Sequence, residues 1–87
     1  MKTLTANKAK AHYGLDTLPA CVLVDGPQEA DDYGTPQWTV CFGDVAGEVI
    51  YHKHALWFCD SRESASSLGV TLANRYNLEL VNEAMHA

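Results

Sequence analysis

The stretch from Asp60 to Tyr76 constrains the fold most, because no other segment is long and periodic enough to demand a helix. Asp60 can cap the first free backbone N–H groups, and Glu63, three places on, completes a capping box. Ala65, Leu68, Leu72, Ala73 and Tyr76 then recur at three- and four-residue steps as one apolar stripe. Arg62, Glu63, Ser66, Ser67, Asn74 and Arg75 form the solvated side. Gly69 sits beside the stripe, where it either admits a close neighbour or weakens the helix. A single helix cannot bury such a stripe alone, so the rest of the chain must supply a layer of strands.

Those strands are legible in order. Residues 5–13 spell a short helix, with Ala6, Ala9 and Tyr13 along one side, or a loose arm, and Gly14 stops it. Ala20 to Val24 is a compact run, apolar on both faces, that reads as an internal strand. Asp25 to Pro36 carries four carboxylates among glycines and prolines and reads as a surface loop. Gln37 to Phe42 alternates, with Trp38, Val40 and Phe42 on one face. Gly43 to Gly47 suits a hairpin connection, and Glu48 to His52 is its returning arm. A further strand, from His54 or Ala55 to Cys59, is apolar almost throughout and is expected in the middle of the sheet, or against the helix on one side and something else on the other. Asn77 ends the helix, and Leu78 to Val81 is a last short strand or an extended tail, with 82–87 frayed.

With 87 residues this is one domain. The expectation is a small two-layer α+β fold: an antiparallel meander of three or four strands packed against the one main helix. The second face of the sheet, around Cys41, Ile50 and Ala55 or Leu56, is expected to stay partly open, which invites a dimer or another partner.

Charge narrows the partners. The net charge is −5, and from residue 11 onward only Lys53, Arg62 and Arg75 face eleven carboxylates. Such a surface repels phosphates, so direct nucleic-acid binding is not expected, and Arg62 and Arg75 do not make a recognition helix. No apolar run reaches the roughly 20 residues of a membrane span, and no signal peptide is evident, so a cytoplasmic protein is expected. Cys21, Cys41 and Cys59 are widely spaced, without a CxxC pair or disulfide framework, which agrees with a reducing compartment.

Chemistry-bearing patterns are sparse. His52 and His54, two apart, could point the same way and join Cys59 or Cys41 around zinc. A structural site wants four ligands, commonly with a tight cysteine pair, so neither metal nor cofactor is expected. Cys59 with His12, His52, His54 or His86 could form a nucleophile and base, but spacing alone brings none of them together, and no catalytic residue is assigned. Glycine-rich phosphate loops are absent. A binding surface is the better expectation. Asp25, Glu29, Asp31, Asp32 and Tyr33 on the long loop, Asp44 and Glu48 at the hairpin tip, and Asp60 and Glu63 at the helix start would form a negative face for a protein with a basic surface. A structural or assembly protein that dimerises through the open sheet face is the first alternative, and a small metal- or thiol-dependent enzyme the second.

The size, the acidic balance, the short α+β plan and the loop Asp25-Gly26-Pro27-Gln28-Glu29-Ala30-Asp31-Asp32-Tyr33 together resemble the small phage-encoded anti-CRISPR inhibitors. The resemblance covers the general plan and carries over no functional residue. It implies a stand-alone inhibitor without catalytic groups or cofactor, whose carboxylates occupy a nucleic-acid groove of the target.

Overall fold

The computed structural model describes residues 2–29 and 36–84. The chain runs α1 (Lys2–Tyr13), β1 (Cys21–Glu29), β2 (Pro36–Gly43), β3 (Leu56–Cys59), α2 (Arg62–Tyr76) and β4 (Glu79–Asn82). The α+β class holds. The sheet order is β3-β2-β1-β4, so β1, apolar on both faces, is internal as its composition requires.

Val22, Val24, Trp38, Val40 and Phe42 leave the sheet on one side and meet Ala65, Leu72, Ala73 and Tyr76 of α2 in a single buried core. The close approach depends on Gly69, where an added Cβ would stand 2.5 Å from Val24 Cγ2. α1 is a full helix rather than a loose arm. It packs on α2 with Ala6 and Ala9 buried, and it ends at Gly14, whose φ is +70°. Tyr13 then inserts between the layers, its ring 5.4 Å from Phe42, 5.5 Å from Trp57 and 6.1 Å from Tyr76. Aromatic rings at these separations add to the burial of their apolar surface.

β1 runs on to Glu29 and β2 begins at Pro36, so both ends of the expected 25–36 loop are strand, and four further details differ from the sequence reading. First, the sheet is mixed, because β4 pairs parallel to β1. α2 carries the chain back across the sheet, so β4 starts from the same end as β1 and can only run alongside it. Second, Glu48 to His52 is not a strand. Val49 bridges Gly43 and Ile50 N donates to Phe42 O at 2.9 Å, after which residues 51–55 leave the sheet and pairing with β2 resumes at Leu56 opposite Cys41. The two expected arms are thus one arm with an excursion in it. Third, β3 lies at the sheet edge, its apolar side chains divided between the core (Trp57, Cys59) and the opposite face (Leu56, Phe58). Fourth, Ser61 rather than Asp60 caps α2, accepting from Ser64 N at 3.1 Å, so the Asp60 and Glu63 capping box does not form. Asn77 closes the helix in the left-handed conformation, at φ 54° and ψ 48°.

Candidate docking face

Helices cover one side of the sheet, and among the described residues no helix covers the other. The strand registers arrange that side in rows. Leu56, Cys41, Leu23 and Val81 stand abreast across β3, β2, β1 and β4. One step along the strands come Phe58, Thr39 and Asp25, and Glu83 follows β4 with its N–H donating to Val24 O at 2.8 Å. Gly47, Val49 and Tyr51 rise beside the first row, and together these residues bound a groove of about 550 Å³. Its floor is apolar, its far end carries two carboxylates, and among the described residues none that lines it is basic. Phe58 is 55% and Tyr51 84% exposed, which is costly apolar surface for so small a protein to leave in water.

Asp25 shares the open face with Leu23 by the two-residue alternation of β1, as the last residue of the regular register before it shifts between Asp25 and Gln28. Just beyond it Gly26, at φ +138°, lies so close over Trp38 that a Cβ would stand 2.7 Å from its ring. Asp25 Oδ1 accepts from Gly26 N at 2.8 Å.

The carboxylates expected to act together fall into separate groups. Asp44 and Glu48 belong to the turn beside Gly43, at the end of the sheet where β1 begins. Asp44 is occupied there, its Oδ1 accepting from Ala46 N at 2.9 Å and Glu48 N at 3.0 Å. Asp60 follows Cys59, which pairs with Trp38 near the opposite end, and Glu29 pairs with Pro36 at that same end. Glu63 is exposed on the first turn of α2. Asp31, Asp32 and Tyr33 lie outside the described residues. Of the residues expected to bind, Asp25 alone lines the groove among the described residues. Leu23, Thr39, Phe58, Val81 and Glu83 were not singled out by sequence. The available signal was the alternation of Leu56, Phe58 and of Leu23, Asp25, which a reading of β1 and β3 as wholly buried runs conceals.

The His52 and His54 rings lie 5.3 Å apart, tilted 46° to each other, and His52 Nδ1 accepts from His54 N at 3.2 Å, which serves the turn. His86 lies outside the described residues. No group of three or more histidine, cysteine or acidic side chains among the described residues is placed to hold a metal ion. Burial pushes the Cys41 thiol up to about 11, with Cys21 and Asp25 adding to the effect. Burial likewise raises Cys21 and Cys59, helped by Glu79 and Asp60 respectively. Reactive thiols need the opposite shift. No helix among the described residues is long and apolar enough to cross a membrane.

No protein-family model, curated protein or solved structure matches the chain.

Proposed function

We propose that this protein is a binding module that works by occupying a basic partner protein, without catalytic groups or cofactor of its own. The observation that carries the reading is the groove on the uncovered sheet face, where an apolar floor adjoins Asp25 and Glu83 and no lining residue neutralises them. Apolar contact supplies affinity, and the carboxylates select a partner of opposite charge and orient it. An inhibitor that displaces nucleic acid from a basic channel, as some of the anti-CRISPR proteins that the chain resembles in general plan do, is the particular form of this function we favour.

The test is direct binding of the purified protein to nucleic-acid-binding proteins freed of nucleic acid, at low and high salt, with and without a competing oligonucleotide. Salt-sensitive association that the oligonucleotide competes away is the expected outcome. An absence of association at low salt would remove the reading.

The exposure of Phe58 and Tyr51 also favours a second reading, self-association through the same face. Sedimentation at increasing concentration separates the two, since a monomer throughout excludes it.

A further inference from the structure

We infer that the groove seats one amphipathic α-helix of the partner, with its apolar stripe over Leu23, Leu56 and Val81 and a lysine or arginine at one end facing Asp25 and Glu83. This rests on the binding-module reading and adds which part of the partner is held.

The form of the occupant is dictated by what the face lacks. Beneath the groove, Cys21–Val24 of β1 pair with both β2 and β4, and Trp38–Cys41 of β2 pair with both β1 and β3, so there the described strands present side chains over a backbone bonded within the sheet. An extended segment laid over it would leave its own backbone unsatisfied on the buried side, whereas a helix pairs its backbone internally. The dimensions agree. Three inter-strand steps of about 4.8 Å make the face roughly 14 Å wide, room for one helix of about 10–12 Å diameter. A helix there would mirror α2 on the other side and complete a three-layer arrangement.

Charge argues against a second copy of this chain. Self-stacking would bury Asp25 and Glu83 of each copy with no cation among the groove residues to receive them. A basic helix brings the missing charge.

The test uses the intact protein and a synthetic helical peptide with leucines at i, i+3, i+4 and i+7 followed by a Lys-Arg pair. One control replaces that pair with two glutamates; a second places proline within the stripe. Titration followed by amide chemical shifts is expected to perturb Leu23, Thr39, Phe58 and Val81, with affinity about tenfold lower for the glutamate peptide and none measurable for the proline peptide. Phe58→Ser and Asp25→Asn should each weaken the peptide about five- to tenfold at unchanged melting temperature, while Asp44→Asn leaves it alone. The inference is overturned if no shift appears at a peptide concentration on the order of 1 mM, if the proline peptide binds equally, or if the shifts centre on Asp44 and Glu48. A basic partner protein that still binds the Phe58→Ser and Asp25→Asn variants in a salt-sensitive way would overturn the groove assignment while leaving the binding-module reading standing. A dimer abolished by Phe58→Ser would overturn both.

Discussion

Gly69 of α2 rides directly on Val24 of β1, so closely that a methyl group at position 69 would stand 2.5 Å from Val24 Cγ2 and 3.1 Å from Leu80 Cδ1. Helix propensity alone predicts that Gly69→Ala stabilises the protein, by about 1 kcal/mol. Packing predicts the reverse. Val24 is 1% exposed and has nowhere to retreat, and overpacking of this kind costs typically about 1–3 kcal/mol. Gly69→Ala is therefore expected to lower the urea midpoint with an unchanged m-value. A midpoint that rises would mean that the two layers separate without penalty.

The start of α2 provides a second, cleaner test. Ser61 accepts from Ser64 N, whereas Asp60 is exposed one residue before it. Ser61→Ala should cost about 1 kcal/mol, and Asp60→Ala should stay within ~0.5 kcal/mol. Chemical denaturation of both variants decides which residue is the cap.

That cap shows where the sequence stops being legible. Asp60 and Glu63 form one capping pattern and Ser61 and Ser64 an overlapping one, a single residue apart, so local chemistry cannot choose between them. The choice is made by pairing: β3 runs to Cys59 opposite Trp38, and this sets where the chain turns into the helix. The helix itself, its stripe and its Asn77 terminus are local properties, and they were readable. The parallel docking of β4 on β1 and the edge position of β3 depend on residues far apart in sequence, and they were not. The site divides in the same way. Carboxylates in turns announced themselves by charge, but the groove depends on the register that sets Leu23, Cys41, Leu56 and Val81 abreast.

The thiols give stability a pH dependence. Cys41 is raised from the ordinary 9.0 to about 11, chiefly by burial. Below pH 9 the thiol is protonated in both folded and unfolded chains and contributes no slope. As pH rises the unfolded chain releases its proton first, so stability falls through pH 9 to about 11. Tyr13, raised from 10.0 by burial and by Tyr76, adds to the decline at the upper end. Cys41→Ala should reduce the slope between pH 9 and 10, measured as the denaturant midpoint in a reducing buffer. An unchanged slope would show that Cys41 ionises as freely in the fold as outside it.

Asp44 and Asp25 separate stability from binding. Asp44 Oδ1 holds Ala46 N and Glu48 N, and Asp44 N in turn donates to Glu48 O at 2.9 Å. These bonds shape the turn from which Ile50 reaches Phe42 O. Asp44→Ala removes the shared acceptor and should cost about 1 kcal/mol, with faster hydrogen exchange at Glu48 and Ile50. Asp25 instead accepts a bond from its neighbour Gly26 N, which asparagine can still supply, and its carboxylate faces the open groove. Asp25→Asn should therefore leave both the melting temperature and the exchange pattern unchanged. If Asp25→Asn destabilised the protein as much as Asp44→Ala does, its charge would be serving the fold, and the groove would lose one of the two carboxylates that select its partner.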